Sequence, residues 1–181
     1  FALGKNCHMV INSWKVENCM YSFSMVGAKD VIDCGLMFKG AERLYHAMNA
    51  GASSRSRYIF NSDGLLDCAF CYDCRNSSDC FMCIGLRNKK YCFQNRRLSK
   101  EKYEQVLRKY ALHTRSGSEK ARMEFENFIL KYPRKYASMV NAVNSTGNYL
   151  INSKNAKHCF MAIRAEDSKY CQFITVPIKT S

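Results

Sequence analysis

The stretch "DCAFCYDCRNSSDCFMC", residues 67–83, places five cysteines within seventeen residues. Two readings compete for it. Cys68, Cys71 and Cys74 are spaced like a run of iron–sulfur ligands, and Cys80 with Cys83 like half a zinc site. The same spacings, however, recur at a fixed period. Cys68, Cys80 and Cys92 lie 12 apart, as do Cys71 and Cys83, Cys7 and Cys19, and Cys159 and Cys171. Steps of 12 from Cys19 pass through Val31 and then, with one extra residue near Gly40, through Leu44 and Ser56 back to Cys68. The column tolerates residues that bind no metal, so we read the sulfurs as small buried filler stacked along a core. No metal and no other cofactor is expected. The weaker alternatives, a metal held by Cys68, Cys71, Cys80 and Cys83 or disulfides between adjacent coils, stay open at this point.

A second column has the same period. Gly27, Gly64, Asn76 and Asn88 share one phase, and these residue types tolerate positive φ at a corner. A chain that turns at one phase and buries a small side chain at another winds a solenoid. Segments such as "MYSFSMV", "RYIF" and "CFMCIGL" have the aromatic and apolar content of buried strands. The expected fold is therefore mainly β: a parallel β-helix of 12-residue units, right-handed by the rule for parallel crossovers. Phe23, Phe60, Tyr72 and Phe81 are bulky for so narrow a coil, so we expect two units in each coil.

The repeat is interrupted after residue 96. Ser99 is placed to cap a helix in which Tyr103, Val106, Leu107 and Tyr110 form one apolar face, with Glu104 and Arg108 one turn apart. "TRSGS" breaks this helix, and Ser118 is expected to cap a second one bearing Phe125, Phe128, Ile129 and Tyr132 before Pro133. Asn- and Ser-rich sequence with cysteines 12 apart then resumes. The expected organisation is solenoid over 1–96, a basic helical hairpin over 97–138, and solenoid again over 139–181.

Charge supplies the functional lead. The chain holds 28 Lys and Arg against 15 Asp and Glu, a net +13. Arg87, Lys89, Lys90, Arg96, Arg97, Lys100 and Lys102 gather within sixteen residues among Tyr91, Phe93 and Tyr103, and "KYPRKY" (131–136) is similar in character. Cations for phosphates and rings for stacking suit nucleic acid or another polyanion. Catalysis has little support. His8, His46, His113 and His158 neighbour no triad, His158 stands where other repeats have Asn or Asp, and Asp33, Asp63 and Asp73 make no repeated carboxylate pair. No apolar run is long enough for a transmembrane segment, and no signal peptide opens the chain. The compartment is left unassigned.

The run "CYDCRNSSDCFMCIGLRNKKYCFQNRRLSKEKYEQV", followed by "EFENFILKYPRKY" and "NSTGNYLINSKNAKHCF", resembles a family of large, uncharacterised cysteine-rich repeat proteins common in candidate-phyla bacteria. Residues 85–103 are its most specific part. The resemblance implies the repeat fold and no activity. Longer members carry zinc-ribbon-like segments before the repeat; this chain shows none and lacks an initiator Met, so we expect a piece of a longer protein. Together these features predict a non-enzymatic scaffold that self-assembles into an oligomer or fibre through its solenoid ends, or binds a macromolecule. Polyanion binding and metal binding are the alternatives.

Overall fold

In the computed structural model, residues 4–6, 8, 9, 11, 15, 17–21, 30, 32, 48–50 and 53–174 are described. Cys7, Gly27, Val31, Asp33, Cys34, Gly40, Leu44 and His46, and most of "MYSFSMV", lie outside them. The chain divides into two compact units, residues 1–132 and 133–181.

The first unit carries β1 (Met48–Ala50), β2 (Arg57–Ser62), β3 (Ala69–Tyr72), β4 (Ser78–Ile84), β5 (Lys90–Phe93) and β6 (Arg96–Arg97) in one sheet, in that order. From β1 to β5 every pair is parallel and every register offset is 12: Met48 faces Phe60, Ile59 faces Cys71, Cys71 faces Cys83, and Cys80 faces Cys92. The bridges Ser54–Leu66, Asp63–Arg75, Leu66–Ser78 and Arg75–Arg87 keep the offset between the strands. The repeat is thus one 12-residue unit, where two units per coil had been expected. Bulk does not forbid it, because Phe60 and Tyr72 are only partly buried and pack beside the buried Phe81 in the cluster beneath the helices described below.

A shorter period lies inside the 12. From Arg55 to Gln94 every third residue has φ between 45° and 69°. Up to Cys83 the residue after each of these points into the core: Ser56, Ile59, Ser62, Leu65, Cys68, Cys71, Cys74, Ser77, Cys80 and Cys83 are all buried, as is Ser53 one step earlier. Cys92 is buried too, while Leu86 is half-buried and Lys89 exposed. Each left-handed residue costs about 1 kcal/mol or more unless it is Gly, Asn or Asp, and Gly64, Asn61, Asp67, Asp73, Asn76, Asp79, Gly85 and Asn88 occupy such positions. No Val, Ile or Thr occupies one among the described residues. The Gly64/Asn76/Asn88 column, and Asp67 with Asp79 twelve residues on, are therefore different positions of the 12-residue unit that belong to one three-residue period.

That backbone leaves a specific polar group to satisfy. The residue before each left-handed one donates its N–H to a carbonyl 11 residues on, as Ser54 does to Leu65 (2.7 Å), and the left-handed residue donates to a carbonyl 13 residues back, as Asp67 does to Ser54 (3.2 Å). The N–H of the residue that follows points instead at the side chain 12 residues earlier. Leu65, Cys68, Cys74 and Lys89 donate in this way to the hydroxyls of Ser53, Ser56, Ser62 and Ser77 at 3.0–3.2 Å. Small, nearly apolar side chains that accept a hydrogen bond therefore suit this core, and Ile59 and Leu65 are the larger exceptions.

Ahead of the second unit the chain reverses. Gln94 and Asn95 both have positive φ, which makes a two-residue hairpin of the type that demands it, so β6 runs antiparallel to β5. Asn95 Oδ1 accepts from the Ile84 N–H at 2.9 Å, at the place where the next repeat's carbonyl would stand. Two helices follow, α1 (Lys100–Tyr110) and α2 (Arg115–Ile129). Ser99 caps α1 as expected, accepting from the Lys102 N–H. The cap of α2 is Thr114 rather than Ser118: its hydroxyl accepts from the Gly117 N–H at 3.0 Å, so "TRSGS" starts the helix instead of separating two. Gly117 makes this possible, since an added Cβ would lie 2.3 Å from the Tyr110 carbonyl oxygen. Both apolar faces dock on the strands: Tyr103, Phe125 and Phe128 share a buried cluster with Phe70, Phe81 and Met82.

The second unit has a four-stranded sheet of β7 (Met139–Val140), β8 (Gly147–Ile151), β9 (Cys159–Ile163) and β10 (Gln172–Ile174), all parallel. Its offset is 12 except between β7 and β8, where it is 11. Gly147 absorbs the missing residue: its φ is 140°, and a Cβ there would meet the Cys159 carbonyl oxygen at 1.9 Å.

Candidate polyanion interface

Cys68, Cys80 and Cys92 occupy one register position on successive repeats, and Cys71 and Cys83 another. All five are buried thiols, as are Cys74 and Cys159. The sulfurs replace the serine hydroxyls. Cys68 donates to the Leu66 carbonyl at 3.3 Å and Cys83 to the Phe81 carbonyl at 3.3 Å, just as Ser62 donates to Phe60. The Cys80 and Cys92 N–H groups point at the sulfurs of Cys68 and Cys80. The thiol of Cys83 is pushed up, first by the neighbouring Cys80 sulfur and then by burial. Cys71 is likewise pushed up by the sulfurs of Cys68 and Cys74 and by burial. Cys68, beside the thiols of Cys71 and Cys80, is held below the usual thiol range. Among the described residues, no group of three or more His, Cys, Asp and Glu side chains is arranged to hold a metal.

The basic residues separate into three groups. Arg87 pairs with Asp73 at 3.2 Å, and Lys90 with Asp79 at 3.8 Å while lying 4.9 Å from the Tyr91 ring centre. Their charge is largely compensated. Lys89, Arg97 and Lys100 are exposed and do not line the groove described next. Arg96 and Lys102 do.

The β5–β6 hairpin contributes Phe93, Gln94 and Arg96 to this groove, with Leu98 following; α1 contributes Lys102, Gln105, Val106 and Lys109; the end of α2 contributes Phe128, Lys131 and Tyr132. Spacing explains the middle group, since residues 102, 105, 106 and 109 fall on one helix face. The groove is open and has a volume of about 750 Å³. Four cations line it, and none of its described lining residues is acidic. Among the described residues, none of the four stands in an ion pair. The carboxylate of Glu124 is occupied nearby, accepting from Gln94 Nε2 at 3.0 Å and from the Tyr110 hydroxyl at 2.7 Å. Burial and that carboxylate together push the Tyr110 phenol up.

Lys109 is the residue that sequence reasoning passed over. Its signal was helical periodicity from Lys102, which places both on one side of α1. Lys131 and Tyr132 were noticed only as part of a separate basic run. Of the histidines, His158 is a corner residue, with φ 54° and its ring stacked 5.3 Å from Tyr170.

No family model, curated protein or solved structure matches the chain. None of these comparisons supports the resemblance to the cysteine-rich repeat family, which rests on the quoted sequence runs alone.

Proposed function

We propose that this protein is a non-enzymatic β-solenoid scaffold that binds a polyanion in the groove between its β5–β6 hairpin and its two helices. The constant offset of 12 and the corner at every third residue support the solenoid, with four corners to each turn. The observation that carries the binding reading is the set Arg96, Lys102, Lys109 and Lys131, four cations on one open groove whose described lining includes no carboxylate. Unpaired like charges held together by a rigid frame repel one another and are relieved by an anionic ligand. The test is salt-dependent retention on immobilised heparin. Arg96→Glu and Lys109→Glu should elute at clearly lower salt than the parent. Arg97→Glu, which changes net charge equally outside the groove, should shift elution much less. Equal shifts for all three would refute a groove site.

A second reading, self-assembly through a solenoid end, has one observation behind it. β7 is the last strand of its sheet, and Met139, Val140 and the nearby Val143 are exposed. Among the described residues no further strand lies beside β7, and an apolar edge of this kind invites another strand. At β6 the situation is the reverse, since a two-residue antiparallel strand of arginines blunts the edge. Light scattering over a range of concentrations, with Val140→Lys as the interrupting variant, tests it; a monomer at the highest concentration rejects it.

A further inference from the structure

We infer that the polyanion is single-stranded nucleic acid, with Arg96, Lys102, Lys109 and Lys131 taking phosphates while bases stack on Tyr132 and Phe93. This rests on the groove reading above and names its ligand.

The groove contains more than charge. A site built for phosphate or sulfate alone needs only cations and water. Here the lining also includes Leu98, Val106 and two rings that are only partly buried, Phe93 and Tyr132. Each ring is braced by another. Tyr132 lies 5.0 Å from Phe128, and Phe93 lies 5.6 Å from Phe81 in a stacked arrangement. Braced rings have given up their rotamer freedom on folding, so a flat partner that lies on them has less entropy to offset. A ligand complementary to the whole groove must present an anion and a flat apolar face in alternation. Nucleotides of a single strand do so once per residue. A duplex keeps its base faces stacked inside and would leave these rings uncovered. A sulfated glycan offers charge without flat rings. An acidic peptide offers charge with side chains that are mostly not planar.

Positioning is consistent with this division. Lys102 and Lys109 stand two turns apart on α1, while Arg96 and Lys131 come from the β-hairpin and from just beyond α2. The cations are thus contributed from three elements, and the rings from two of them.

The experiment is fluorescence anisotropy of the full chain with a labelled single-stranded oligonucleotide, repeated with the matching duplex, and competed by heparin and by polyglutamate. Four phosphate contacts on a single strand should give a slope of log K against log salt of about −3. Lys109→Gln and Lys131→Gln should each flatten that slope by about 0.7 and weaken every polyanion alike. Tyr132→Leu and Phe93→Leu keep apolar bulk and lose the ring. Each should weaken the single strand by about 5- to 100-fold and leave heparin unaffected. Thermal melts identify any variant that fails to fold, and either ring variant suffices. If a folded ring variant binds the single strand as tightly as the parent, or if duplex, heparin or polyglutamate binds as tightly as the single strand, the nucleic-acid inference is overturned while the groove reading stands. If none of these polyanions binds at low salt, the groove reading itself fails.

Discussion

Replacing Ser62 by Ala tests the physical basis of the repeat. Ser62 is buried at 1% exposure; its hydroxyl accepts from the Cys74 N–H at 3.0 Å and donates to the Phe60 carbonyl at 2.9 Å. Alanine removes both bonds and leaves almost no cavity, so packing contributes little to the loss. The stranded N–H costs about 1–3 kcal/mol, and the lost donation about 0.5–1.5 kcal/mol. Relief from burying a hydroxyl returns part of this. The expected net destabilisation is about 2 kcal/mol. Ser62→Cys should recover most of it, because Cys68 and Cys80 perform the same two tasks with sulfur. Urea unfolding followed by circular dichroism gives the midpoint, and an unchanged m-value assigns the shift to stability. Since repeat arrays need not unfold in one step, hydrogen exchange at the Cys74 amide supplies a local measure, with faster exchange expected in Ser62→Ala alone. The reasoning is refuted if Ser62→Ala is neutral, or if Ser62→Cys is as damaging as Ser62→Ala.

Gly147→Ala would force a methyl group to within 1.9 Å of the Cys159 carbonyl oxygen, and should destabilise the second unit by more than about 2 kcal/mol; a thermal melt unchanged from the parent would show that the short repeat can relax. Thiol labelling of the native protein, mapped by mass spectrometry, should modify Cys171, the one partly exposed thiol among the described cysteines, well before Cys71, Cys80 or Cys83. Rapid native labelling of Cys71 would contradict the packed core. At acid pH, Asp67 contributes a small linked loss. Arg55 donates to it at 2.8 and 2.6 Å and holds its carboxyl below the ordinary range. The folded value is the lower one, so this stability is present above the unfolded value near ~4 and vanishes as pH falls through the folded value. Both side chains are well exposed, so the effect should stay under about 1 kcal/mol. Asp67→Asn should therefore match the parent's urea midpoint at pH 2 and fall slightly below it at pH 7.

The 12-residue period was legible because the backbone conformation itself filters residue types. Gly, Asn and Asp, which tolerate positive φ, are favoured at the corners and small residues beside them, so Asp67, Asp79, Cys68 and Cys80 repeat in plain view. The three-residue period within it was readable in principle, as the series Asn61, Gly64, Asp67, Asp73, Asn76 and Asp79. Tyr58, Phe70, Met82 and Tyr91 obscured it, since these left-handed positions carry large side chains. Phe70 and Met82 are buried under the helices, where packing offsets the backbone cost. The caps illustrate the same limit. Ser99 could be read from its own neighbourhood. Thr114 won over Ser118 because Gly117 lets α2 start against the end of α1, a fact about two segments meeting.

Sequence alone determined the period, the small acceptor-bearing core and the excess of positive charge, since each is set residue by residue by local backbone preference and by composition. Tertiary structure alone decided which cations matter. Arg87 and Lys90 fell beside carboxylates of neighbouring repeats, while Arg96, Lys102, Lys109 and Lys131 were carried by a hairpin and two helices onto one groove. Charge acts through distance in space, and no spacing along the chain encodes which strand or helix will stand opposite.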